Sequence, residues 1–201
     1  MSYLKEYDKD LLLDVYTVKD KNEKTVFFTN DNPLIVEIGS GNGHFLIGKS
    51  LEYKDVNFIG IDKKSNRIIR CREKEVKNGL TNIKWITGDA YYAINEMFFD
   101  NSIDTIYMIF PDPWPKKRHW KNRLFKSEFI EIFYSKLKNG GKFLFVTDSA
   151  DYFNVCINLI AEDKRFNLDK SYNLEEFEKT LFGEKWKKEG RSFYSFLLEK
   201  L

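Results

Sequence analysis

The chain has 201 residues, 42% of them hydrophobic and 32% charged, a balance that supports a packed soluble domain and excludes extended disorder. Its net charge of only +2 excludes a generally basic surface, so affinity for nucleic acid has to come from local clusters. No stretch approaches the roughly 20 apolar residues of a membrane span, the N-terminal segment lacks a long apolar core, and Cys71 and Cys156 stand too far apart to suggest a metal-ligand pair. A cytoplasmic protein with buried free thiols, no metal site and no membrane contact is expected.

Residues 1–31 read as a polar arm and 32–201 as a single domain without internal repeat or linker. Leu34 to Gly39 predicts a buried strand, followed by a glycine-rich turn and a helix from His44 to Tyr53. Val56 to Asp62 predicts a second strand, Lys63 to Lys77 a helix ending near Asn78-Gly79, and Asn82 to Thr87 a third strand. Asp89 is placed to cap a helix running to Phe98, and Ile103 to Phe110 reads as a fourth strand. It opens into a loop holding Pro111, Pro113 and Pro115, three of the four prolines, which cannot continue a strand or fold directly into helix. Phe125, Phe129, Ile132, Phe133 and Leu137 recur at helical spacing until Asn139-Gly140-Gly141 stops the pattern. Lys142 to Thr147 reads as a fifth strand, Tyr152, Val155, Cys156 and Leu159 as the apolar stripe of another helix, and Phe166 to Tyr172 and Phe193 to Leu198 as strands of the tail. This alternation predicts an α/β, doubly wound, mostly parallel sheet whose ligand crevice lies at the carboxyl ends of the strands.

Candidate site residues gather at those ends. Gly39, Gly41 and Gly43 follow the first strand in a G-x-G-x-G pattern that lets backbone approach a nucleotide-like ligand, while His44 breaks the dinucleotide fingerprint. Asp62 ends the second strand 19 positions after Gly43, where a carboxylate accepts hydrogen bonds from ribose hydroxyls. Asp89 can bind an adenine amino group or cap the helix after it. Glu37 can meet a cationic end of the ligand or anchor the glycine turn. The run from Ile109 to Arg123, IFPDPWPKKRHWKNR, holds Asp112 and Trp114 between prolines and follows them with Lys116, Lys117, Arg118, His119, Lys121 and Arg123. Such a cluster supplies the charge that nucleic-acid phosphates need, with Lys116 and Arg118 the leading candidates for phosphate contact.

The glycine turn together with Glu37, Asp62 and Asp89 resembles the Rossmann-like S-adenosylmethionine-dependent methyltransferases. With PDPWPKKRHWKNR added, the chain is similar to the bacterial tRNA (guanine-N7-)-methyltransferases over the span from Asn32 into the tail. The resemblance implies S-adenosyl-L-methionine as cofactor and tRNA as partner, with N7 of guanine 46 in the variable loop as target. It implies that Glu37, Asp62, Asp89 and Asp112 line the cofactor site, that Asp112 is also catalytic, and that Lys116 and Asp148 contact RNA. The family's tail motif of threonine, any residue, aromatic and glutamate falls on Thr180-Leu181-Phe182-Gly183, which lacks the final carboxylate and places Thr180 and Gly183 among the substrate-binding candidates. Trp120 and Asn122 interrupt a loop that is often more basic in relatives. No obligatory protein partner is implied, and the chain is expected to act as a monomer or homodimer.

Two other readings compete. An RNA-binding module without catalysis needs the basic loop but has no use for the four carboxylates. A methyltransferase acting on another RNA, or on a small molecule, keeps the cofactor crevice; a small neutral substrate, however, leaves the cations after Pro115 without a task.

Overall fold

The computed structural model describes residues 16–17, 24–171, 189–190 and 192–201, so Thr180 and Gly183 lie outside the described residues. The chain forms two compact units, Met1–Phe99 and Asp100–Leu201.

In the first unit the strands β1 (Tyr16–Thr17), β2 (Leu34–Ile38), β3 (Asn57–Asp62) and β4 (Ile83–Thr87) pair in the order β1-β4-β3-β2, all parallel. Helices α1 (His44–Glu52), α2 (Ser65–Lys77) and α3 (Ala90–Met97) connect or follow them. Every residue of β3 is buried, as expected for an apolar strand flanked on both edges in a parallel sheet. Leu46, Ile47, Phe58, Ile68, Cys71, Leu80, Ile83 and Trp85 form one core cluster. Trp85 fits because two glycines face it: a Cβ at Gly60 would stand 2.4 Å from its ring and one at Gly43 2.7 Å. Its indole Nε1 donates to the buried Glu75 carboxylate at 2.7 Å, and Arg72 pairs with the same carboxylate. The short β1 was not anticipated from the sequence; it is held by Tyr16 packing edge-on against Phe27, which in turn meets Phe98.

In the second unit β5 (Ile103–Ile109) and β6 (Leu137–Thr147) pair in parallel, and β8 (Tyr194–Lys200) lies antiparallel between β6 and β7 (Phe166–Asp169). Helices α4 (Ser127–Lys136) and α5 (Ala150–Ile160) and a 3-10 helix, Lys117–Asn122, complete it. Aromatic rings fill the core: Phe133 stacks on Phe143 at 4.3 Å and Phe145 on Phe196 at 5.1 Å, with Phe125 edge-on to Phe145 and Phe196. The architecture is thus α/β with a mostly parallel sheet, as the strand-helix alternation predicts.

Two expectations change. The helix that was to run to Asn139-Gly140-Gly141 ends at Lys136, because Leu137 turns extended, buries, and pairs with Ile103 as the first residue of β6. Between Ile103–Leu137 and Thr105–Lys142 the partners advance two residues on β5 and five on β6, and the excess is taken up by a bulge at the glycines. Lys200 secures this corner: its ammonium donates to the carbonyls of Tyr134 and Leu137 and to Asn101 Oδ1 at 2.8–2.9 Å, satisfying carbonyls at the helix end. The stripe of α5 also rotates: Tyr152, Cys156 and Ile160 are buried, whereas Leu159 is exposed.

The Glu75 cluster gives a direct test of the first unit. Glu75→Ala removes the acceptor of a fully buried indole N–H and the partner charge of Arg72, and should destabilise the protein by about 3–5 kcal/mol. Urea denaturation would show this as a lower midpoint at unchanged slope; a loss under about 1 kcal/mol would mean that the cluster contributes little.

Candidate active site

The glycine turn between β2 and α1 is pinned from three sides within the first unit. Gly39 and Ser40 both donate their N–H to Ile61 O, at 2.8 and 3.0 Å. Asp62, at the end of β3, accepts the Gly41 N–H at Oδ2 and the Lys64 N–H at Oδ1, and Arg67 Nη1 reaches Oδ2 at 3.2 Å. From α2, the Cys71 thiol meets Gly41 O at 3.4 Å and Lys74 Nζ donates to Asn42 O at 2.6 Å. Lys74 was not singled out by sequence reasoning; its signal was its place one turn beyond Cys71 on the face that meets the turn. Gly43 lies at φ +73, and a Cβ there would meet both Trp85 and Cys71 Sγ, so its glycine is required by packing as well as by backbone conformation. At Gly39, φ +79, a Cβ would meet nothing within 4 Å among the described residues.

Around this turn stand polar atoms whose hydrogen bonding is incomplete. Glu37 is 5% exposed, and its Oε2 is buried without a hydrogen-bond partner among the described residues, as are Ser40 Oγ and Asn42 Oδ1. Burial first, and the neighbouring Asp62 charge second, raise the Glu37 carboxyl from the usual 4.5 to about 8. A buried carboxyl lacking a donor is costly, and a ligand bringing a cation or N–H groups would satisfy it. Asp62 retains acceptor capacity at Oδ1, which among the described residues receives the Lys64 N–H alone. Asp89 caps α3 by accepting the Tyr91 N–H at 3.0 Å, and its Oδ2 lies 3.8 Å from Lys63 Nζ. His44 is exposed, 2.9 Å from Lys74 Nζ, and both burial and that ammonium lower its pKa. Among the described residues no group of three or more His, Cys, Asp or Glu is arranged to hold a metal.

The proline loop belongs to the second unit. Asp112 is exposed, and the residues bracketing it are strained: Phe110 has φ +50 and Trp114 φ +44, a region that side-chain-bearing residues rarely adopt. Such conformations cost on the order of 1–3 kcal/mol each and persist where surroundings over-determine them. Here Phe110 N–H donates to Val146 O at 2.8 Å, Phe110 packs on Phe193, and Arg123 Nε donates to Pro113 O at 2.8 Å. Arg123 is buried, its guanidinium held between the Trp120 and Tyr152 rings at 4.7 Å from each. This corrects its expected place among the phosphate-facing cations: it braces the loop instead. Lys116, Lys117, Arg118 and Lys121 remain exposed, and the His119 ring packs perpendicular to that of Trp114. Asp148 is half-buried at the end of β6, and the cap of α5 comes from Ser149 Oγ, which accepts the Tyr152 N–H at 3.3 Å.

The chain matches the family model described as "Putative methyltransferase" over residues 31–196. It is 37% identical, over 82% of its length and 80% of the relative, to a tRNA (guanine-N(7)-)-methyltransferase of Chlorobium phaeobacteroides. Among solved structures, an antibiotic-related methyltransferase superposes with a TM-score of 0.60 at 20% identity, covering 90% of this chain and 98% of that one. Phosphoethanolamine N-methyltransferase 2 of Haemonchus contortus, in complex with S-adenosyl-L-methionine, gives 0.55 at 15% identity, covering 86% of this chain and 49% of the other. These likenesses establish a methyltransferase fold.

The buried Glu37 carries a pH signature. Folded, it keeps its proton up to about pH 8, whereas an unfolded carboxyl releases its proton near 4.5, so folding takes up a proton between these values. Stability therefore falls as pH rises through that window, by an amount on the order of a few kcal/mol. Glu37→Gln, which cannot ionise, should flatten the fall measured by urea denaturation from pH 5 to 8; a mutant profile parallel to the wild type would show that Glu37 ionises normally in the folded chain.

Proposed function

Because the chain belongs to the tRNA (guanine-N(7)-)-methyltransferase family, we propose that it transfers a methyl group from S-adenosyl-L-methionine to N7 of a guanine in tRNA, guanine 46 of the variable loop. The observation that carries this reading is the loop around Asp112: an exposed carboxylate between two strained residues, braced by a buried arginine and followed by a row of exposed cations. A loop that merely connected elements would have no need of that strain.

The residues of the first unit fit the cofactor. Glu37, whose Oε2 lacks a partner, would receive the cationic amino-acid end; Gly39, Gly41 and Gly43 would let it approach the backbone; Asp62 would accept from ribose hydroxyls and Asp89 from the adenine amino group. Bound there, S-adenosylmethionine supplies an electrophilic methyl on a sulfonium. The complex of a fold neighbour with this cofactor supports the assignment.

Guanine N7 offers a lone pair and no proton, so the chain need not provide a general base. Its task is to hold the base in line, which converts a bimolecular displacement into a nearly unimolecular one. Asp112 is assigned this catalytic role: its carboxylate accepts from guanine N1 and N2 donors and stabilises the positive charge that arrives with the methyl. Lys116 and Arg118 contact phosphates, and Asp148, Thr180 and Gly183 complete the substrate side. A cytoplasmic location fits this activity.

Purified protein incubated with labelled cofactor and an unmodified tRNA transcript should form 7-methylguanosine at one position, mapped by mass spectrometry of nuclease fragments. Methylation of a different atom, or of a small molecule alone, would overturn the assignment. Asp112→Asn, nearly isosteric, should lower the single-turnover rate on the order of 100-fold with tRNA affinity largely kept; a near-wild-type rate would reduce Asp112 to a loop residue. Lys116→Ala with Arg118→Ala should weaken tRNA binding and reduce the magnitude of the logarithmic salt slope by roughly 0.7–0.9 per lost phosphate contact, and an unchanged slope would place both side chains away from RNA.

A further inference from the structure

Trp120 is 41% exposed in the middle of the 3-10 helix Lys117–Asn122, a costly position for the largest apolar side chain. Nothing in the assignment above uses it. The ring is nevertheless held in place. Arg123 lies over it at 4.7 Å and is itself fixed: buried, pressed against Tyr152 on its other side, and hydrogen-bonded through Nε to Pro113 O. Tyr152 is in turn fully buried, and its hydroxyl accepts the Phe125 N–H at 3.0 Å. A stack of Trp120, Arg123 and Tyr152 thus runs from the surface into the core of the second unit. In the same short segment Lys116, Lys117, Arg118 and Lys121 flank Trp120 along the chain, all exposed.

A fixed, exposed aromatic ring in a segment of exposed cations matches the two parts of a single-stranded nucleic acid: a flat base and an anionic backbone. An apolar peptide surface would gain nothing from four exposed lysine and arginine side chains in the segment it docks on. From this juxtaposition we propose that Trp120 is a stacking platform for an unpaired base of the RNA substrate, distinct from the guanine that is methylated. The Arg123 guanidinium over the ring adds positive charge to the platform. The proposal rests on the assignment of tRNA as substrate and adds a second base contact, carried by a residue that touches neither reacting group.

The test uses the full chain, an unmodified tRNA transcript, and the variants W120A and W120F, with folding checked by thermal denaturation. Base stacking on an aromatic ring is lost with alanine and largely kept with phenylalanine, so W120A should weaken tRNA binding by about 5- to 150-fold and W120F by less than about 5-fold. The logarithmic salt slope should stay as in the wild type, because no phosphate contact is removed. Tryptophan emission should fall when tRNA is added to the wild type, and the fall should be smaller in W120F. Affinity of W120A within twofold of wild type would overturn the platform, as would a loss of equal size in W120A and W120F, or one accompanied by a flatter salt slope. Equal RNA affinity combined with a change in oligomeric mass would overturn it in favour of self-association through Trp120. The proposed reaction fails separately, by absence of 7-methylguanosine from the wild-type enzyme.

Discussion

The carboxylate of Asp62 is the contact on which the organisation of the first unit's crevice depends. It ends an interior, fully buried strand of its sheet and binds the N–H of Gly41, the N–H of Lys64 and the guanidinium of Arg67. One side chain thereby fixes the glycine turn, the start of the following helix and the first helical turn to the end of β3. A glycine turn alone has many conformations open to it, and each glycine adds to the entropy lost on ordering. Tying its amides to a strand end, and its carbonyls to Cys71 and Lys74, removes that freedom before any ligand arrives. The same carboxylate adds to the burial that keeps Glu37 protonated, so the charge that positions the turn also bears on the ionisation of its neighbour.

The second unit solves a different problem, that of keeping an irregular, strained loop in one shape. Its anchor is arginine and not a carboxylate, because the groups to be held are a carbonyl, Pro113 O, and two aromatic faces. Only a planar cation meets all three. The aromatic core beneath, with its stacked pairs of phenylalanines, supplies the rigid floor against which that arginine is pressed.

Where local chemistry decides, the sequence was legible. The strands β2 to β5 lie within a residue of their expected limits, because continuous apolar runs bounded by glycine, proline or aspartate have few alternatives. Asp89 caps its helix as expected, since an aspartate just before a helix start needs only its own neighbours to do so. Where tertiary partners decide, reading failed. Arg123 looks in sequence like one more member of a cationic run, and only the rings of Trp120 and Tyr152 make it internal. At the start of α5, Asp148 and Ser149 are equally plausible caps by type, and the backbone gives the cap to Ser149. Leu137 reads as the last apolar position of a helix, yet pairing with Ile103 makes it the first of a strand. The same limit hid Lys74: its role depends on the proximity of α2 to the glycine turn.

Each unit carries a single cysteine, Cys71 in the first and Cys156 in the second, and both are buried free thiols. Burial pushes each thiol well above its ordinary pKa, which suppresses the thiolate that alkylating reagents require. Labelling of either must therefore wait for local opening, and Cys71 can be reached only when the carbonyl of Gly41 lets go of it. The chain thus contains two native clocks, one per unit. The first keeps time for the glycine turn itself, so the rate at which Cys71 is modified, referred to that of Cys156, gauges how tightly the turn is closed without any substitution.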